Sequence, residues 1–169
     1  MRVVALDATG TGLDALISRR RELGQDRYDE VREGAYFMVP APGGPHADVD
    51  AQLVALLRPA ARRLGLTYTT ATNIGEADDY RVPDGAIFDE RPAGTYAPTA
   101  RLVVEVRSPG DDTYDKVPFY AARGVEELLV ADPQARTVTL LDLTTGRPRP
   151  ASRVLGLTTA SLTTAVDWP

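Results

Sequence analysis

Leu102-Val103-Val104-Glu105-Val106 is a run of apolar residues with one carboxylate set in its middle. Its branched, apolar composition over five residues reads as a buried strand. An ionised carboxylate in such a strand is expensive unless something compensates it. Three things could: a buried arginine, protonation, or a metal ion. Arg107 lies two residues on and shares the strand face under period-two alternation, so an ion pair with Glu105 stands level with a metal at this point.

Upstream, Arg81-Val82-Pro83-Asp84-Gly85-Ala86-Ile87-Phe88 places an aspartate directly after a proline at the start of another apolar strand, Val82–Phe88. Taken alone, Asp84 is an ordinary turn or strand-end residue. Paired with Glu105 on the next predicted strand, it becomes half of a hard-oxygen site. Mg²⁺ is held by one or two carboxylates and keeps several waters. Downstream comes Lys116, the only lysine in a chain whose other basic side chains are all arginine. A lysine beside such a site can position or deprotonate water, or neutralise a phosphate.

Farther out, the spacing predicts a helix over 10–24 stopped at Gly24, and a strand pair between Tyr28 and Val39 turning at Gly34. A proline- and glycine-rich loop, 40–45, then leads to His46. His46 opens a second helix with an apolar stripe of Val49, Leu53, Leu56, Leu57, Ala60 and Leu64, which Pro59 should kink or end early. Arg58, Arg62 and Arg63 read first as its solvated face and second as a phosphate-contacting patch. Leu66–Thr70 is a strand, and a short helix near Asp115–Arg123 tolerates Pro118 only in its first turn. Glu127–Ala131 and Thr137–Leu143 form a hairpin, and 147–169 reads as a last strand and tail. The expected architecture is α/β, a mixed central sheet flanked by helices, in a single domain over 1–169.

Composition narrows the function classes. At 169 residues with 43% hydrophobic content the chain can bury a core and is not a disordered polymer. It has no cysteine and one histidine, which excludes disulfides, thiolate chemistry and multi-histidine zinc sites. No apolar run approaches a membrane span, and Met1–Leu6 is too short and too soon followed by Asp7 for a signal peptide, so a cytoplasmic protein away from membranes is expected. The net charge of −5 is unlike that of a non-specific nucleic-acid coat.

The ordered set Pro83-Asp84, Val104-Glu105-Val106 with Ser108-Pro109, Asp112 through Lys116 to Tyr120, Gly124-Val125-Glu126-Glu127 and Val130-Ala131-Asp132-Pro133 resembles the Uma-two family of restriction-endonuclease-like proteins, in the PD-(D/E)xK nuclease superfamily. Glu30, Gly34 and the Pro40-Ala41-Pro42 loop leading to His46 are similar to its N-terminal half, so the resemblance covers about residues 27–143. It implies a restriction-endonuclease-like core and a site of Glu30, Asp84, Glu105 and Lys116, with Asp84 and Glu105 holding Mg²⁺ or Mn²⁺ and Lys116 activating water. The superfamily's usual lysine position, two residues after the glutamate, is Arg107 here, which can stabilise charge but is a poor base. His46 matches a family histidine, and a lone histidine at a helix start is otherwise a capping or anchoring residue. Tyr120 and Val125 read as packing. The implied function is a metal-dependent nuclease cutting DNA, as a homodimer if both strands are cut. The alternative is a non-catalytic dimeric interaction module that retains the fold.

Overall fold

The computed structural model describes residues 11–110 and 112–169. The signal-peptide reading of Met1–Leu6 and the first residue of the predicted N-terminal helix lie outside the described residues. Helix α1, Thr11–Glu22, leads to a hairpin of β1, Glu30–Arg32, and β2, Ala35–Phe37. Glu33 and Gly34 both take positive φ (50° and 80°), as a two-residue primed hairpin turn requires. Helix α2 runs from Gly44 to Arg63 and is followed by β3, Thr67–Thr70. Three short strands follow, β4 (Asn73–Glu76), β5 (Asp79–Arg81) and β6 (Gly85–Phe88), then β7 (Tyr96–Ala97) and β8 (Leu102–Val106). A 3-10 turn over Thr113–Lys116 feeds α3, Val117–Ala122, and β9 (Glu127–Asp132) and β10 (Thr137–Asp142) make the second hairpin.

The mixed α/β architecture is as expected, but the strands divide between two mixed sheets. One is ordered β2-β1-β5-β4-β7, and the other continues from β10 through β9, β8 and β6 to β3. The expected strand Val82–Phe88 is broken for the same reason. The chain leaves β5 in the first sheet, passes through Val82-Pro83-Asp84, and enters β6 in the second. Pro83 has no N–H to give a ladder, which suits a joint between sheets.

Strand β8 is central, pairing antiparallel with β6 and parallel with β9, and all five of its residues are buried. Its two faces feed two cores. Leu102, Val104 and Val106 pack with Val49, Leu53 and Leu57 of α2, whereas Val103 packs with Ile74, Tyr120 and Leu128. Helix α2 does not end at Pro59. That residue is exposed, while buried Leu57, Ala60 and Ala61 hold the helix on either side of it. Pro118 falls in the first turn of α3, where its missing N–H breaks no helical bond.

The C-terminal stretch keeps a strand only at β11, Arg147–Pro148, and then forms a helix, α4, Thr159–Ala165. Thr158 caps it by accepting from the Ser161 N–H, and Leu162 and Val166, one turn apart, are buried. Packing outweighs the weak helix propensity of its threonines. The tail beyond it is tied to α2: Gln52 donates to the Asp167 carbonyl at 2.9 Å and accepts from the Asp167 N–H at 2.7 Å.

Gly85 follows the joint directly, and a Cβ there would lie 2.1 Å from the Tyr68 hydroxyl and 2.6 Å from its ring carbon. Gly85→Ala is expected to destabilise the protein by about 1–3 kcal/mol, read by denaturant unfolding, because the Tyr68 ring, buried in the core, must shift to make way.

Candidate active site

Four elements converge on one cleft of about 820 Å³. Strand β1 brings Glu30, the joint after β5 brings Asp84, β8 brings Glu105, and the 3-10 turn brings Lys116. Lys116 Nζ lies 2.9 Å from Glu30 Oε1 and donates to both Glu105 oxygens at 3.1 and 3.2 Å. All three side chains are buried. Asp84 sits beside them: its Oδ2 accepts the N–H of Val106, the residue after Glu105, at 2.7 Å. The four residues taken together from the resemblance are therefore together in space.

Further side chains lock the cluster. The Tyr120 hydroxyl donates to Glu105 Oε1 at 2.6 Å. Tyr120 is packing, as expected, but it also fixes the carboxylate. Its position four residues after Lys116 would place both on one helical face, a signal available in the sequence. Arg32, two residues after Glu30 and on the same strand face, donates to Glu30 Oε2 at 2.9 and 2.6 Å and also pairs with Asp112. Glu30 Oε1 accepts the Val82 N–H at 3.0 Å, tying β1 to the joint.

His46, on the first turn of α2, donates from Nε2 to Asp84 Oδ1 at 2.9 Å, while its Nδ1 is 3.1 Å from Ser108 Oγ. It thus touches the site through Asp84. Arg107 does not pair with Glu105. Its guanidinium donates to Asp132 at 2.7 Å and lies 5.5 Å from the Tyr114 ring centre. The turn after Val106 carries Arg107 to the end of β9, leaving Glu105 to Lys116 and Tyr120.

The electrostatics follow from this crowding. Burial, helped by the charges of Asp84 and Glu30, raises the Glu105 carboxyl to about 7 against the opposing pull of Lys116. Burial also opposes ionisation of Lys116, but Glu105 and Glu30 more than offset it and hold the ammonium well above the usual lysine range. Burial acts likewise on Glu30, where Lys116 and Arg32 win and lower its pKa. Lys116 is thus the firm charge of the cluster, and Glu105 is the member most easily discharged.

Sequence comparison gives the family. The Uma2 model, described as "putative restriction endonuclease", matches residues 17–168. The chain belongs to the Uma2 family. Among solved structures it is similar to the crystal structure of a "putative nuclease belonging to DUF820" from Anabaena variabilis ATCC 29413, with a TM-score of 0.67 and 15% identity over 81% of this chain and 90% of that one. A cryo-EM structure of a DrdV–DNA complex is similar at a TM-score of 0.45 and 22% identity, over 70% of this chain and 11% of that one. No curated protein matches. No described helix of this Uma2 chain is long and apolar enough to cross a membrane.

Lys116→Met leaves Glu30 and Glu105 buried without their shared ammonium, so unfolding free energy should fall by about 3–5 kcal/mol. The loss should be larger at pH 8 than at pH 5. Removing the cation raises the pKa of both carboxyls in the folded state, so the folded protein holds protons that the unfolded chain releases, and stability declines as pH rises. Urea melts at the two pH values check this, with Arg107→Ala expected to cost far less.

Proposed function

We propose that this Uma2 chain is a Mg²⁺- or Mn²⁺-dependent nuclease that hydrolyses phosphodiester bonds of DNA. The observation that carries the reading is the buried Glu30–Lys116–Glu105 cluster with Asp84 alongside, at the floor of a cleft. Glu105, raised to about 7 first by burial and then by the charges of Asp84 and Glu30, is a carboxylate in want of positive charge. Among the described residues no group of three or more histidine, aspartate or glutamate side chains could hold a metal. The donor set of Asp84 and Glu105 suits a hard cation that takes two carboxylates and leaves its other positions to water and phosphate oxygen. A divalent ion bound there supplies Lewis acidity toward the phosphoryl group and makes nearby water more acidic.

The chain's own residues divide the remaining work. Glu30 and Glu105, the latter held by the Tyr120 hydroxyl, fix the Lys116 ammonium within the cleft, where it would stabilise negative charge developing on the phosphoryl oxygens. An ammonium held this firmly by two carboxylates suits that task better than removal of a proton from water, the role first expected of it. His46 and the Val106 N–H orient Asp84 through its two oxygens, one each. Arg32 and the Val82 N–H hold Glu30 in place.

The test is cleavage of plasmid and oligonucleotide DNA with Mg²⁺ or Mn²⁺. Asp84→Ala and Lys116→Ala should each lower the rate by about 100-fold or more. Metal titration by calorimetry should show binding that Glu105→Ala abolishes. Cutting that survives both substitutions would remove these residues from the chemistry, and a protein that binds no metal at millimolar concentration would be an interaction module on a nuclease fold.

A further inference from the structure

The cleft has a second wall that the chemistry above does not use. Glu30 and Phe37 stand directly opposite each other in the β1–β2 register, and Val31 faces Tyr36. Residues opposite on a hairpin project to the same face, so Phe37 shares the face of Glu30 and of Arg32. Phe37 lines the cleft together with Tyr28 and Met38, none of them fully buried, and the Arg32 guanidinium lies over one face of the Phe37 ring, 4.5 Å from its centre. An aromatic platform thus sits one cross-strand step, about 5 Å between Cβ atoms, from the carboxylate that holds Lys116. A nucleotide spans that distance between its phosphate and its base.

The charges of the cleft point the same way. Among the described residues, five carboxyl side chains line it against Arg32, Lys116 and His46. Arg32 is engaged by Glu30 and Asp112, and Lys116 by Glu30 and Glu105. A protein that grips a duplex does so by neutralising a row of phosphates with cations, and the cations of this cleft are already spoken for by carboxylates. Binding through the faces of unpaired bases needs aromatic surface instead.

We propose that the strand to be cut enters the cleft unpaired, with the base beside the scissile phosphate stacked on Phe37 in the wall of Tyr28, Phe37 and Met38. This rests on the nuclease reading, and it makes single-stranded DNA, or an unpaired stretch within a duplex, the substrate class of the site. Phe37 is then a specificity-determining residue that selects for strand state and not for base sequence, because every base offers a stacking face.

The test uses an oligonucleotide carrying 2-aminopurine, titrated with the whole wild-type chain in chelator so that nothing is cut. The single strand should be quenched on binding and held at least about tenfold tighter than the same strand annealed to its complement. Its affinity should fall with salt at a slope no steeper than about −1.5 on logarithmic axes, as for one or two phosphate contacts. Phe37→Ala should weaken single-strand binding by about tenfold or more, and Phe37→Trp should retain it. If Phe37→Ala does not fold, Phe37→Leu keeps apolar bulk without an aromatic face and should show the same loss. Equal affinity for the duplex, a steep salt slope, an absence of quenching with either form, or unchanged binding by a folded Phe37→Leu would overturn the proposal. The cleavage assay separates the two readings. Efficient duplex cutting unaffected by Phe37→Ala sinks the strand-state inference and leaves the nuclease standing. Single-strand binding that depends on Phe37, in a protein that cuts nothing, upholds the platform and sinks the nuclease.

Discussion

One ammonium group, buried between two carboxylates, organises this molecule. Lys116 draws Glu30 from one sheet and Glu105 from the other to within hydrogen-bonding distance of a single nitrogen. Desolvating three charges is costly, and the cost is offset only because the remaining lone pairs are also used: Tyr120 on Glu105, Arg32 and the Val82 N–H on Glu30. The cluster is therefore less a source of stability than a constraint on geometry. The two sheets, the 3-10 turn and α3 all have to meet at one point for it to be satisfied.

Asp84 enters this arrangement by a different route. It belongs to neither sheet and stands in the three-residue joint between them, so its position depends on how β5 ends and β6 begins. The Val106 N–H and His46 each claim one of its oxygens. A carboxylate placed at a joint but held from both sides combines access to the cleft with a fixed orientation. Such pre-organisation is what a site stabilising charge during a reaction requires.

Much of this was legible in the sequence. Leu102–Val106 read as a buried strand because branched apolar residues filled both of its faces, and the structure buries all five. The unique lysine stood out because arginine serves every other basic position. What stayed hidden was long-range. β4, β5 and β7 are two to four residues long, too short to show a period, and only their partners define them. The division into two sheets depends on the break at Pro83, which within an apolar run reads equally well as the beginning of one strand. Alternation alone offered Arg107 as one partner for Glu105, level with a metal, yet alternation does not continue past the end of a strand, and Asp132 captured it. In α4, Leu162 and Val166 define a helix only when a core is present to receive them.

The reciprocal pair between Gln52 and Asp167 has a reach beyond local tidiness. Gln52 lies on α2 six residues after His46, so the last turns of backbone brace the same rod whose first turn steadies Asp84. The C-terminal tail thus meets α2 less than two turns from the imidazole that borders the cleft. Cutting that tie would still leave α2 seated by its buried face of Val49, Leu53 and Leu57, so the histidine takes its footing from the core and gains a local brace from the tail.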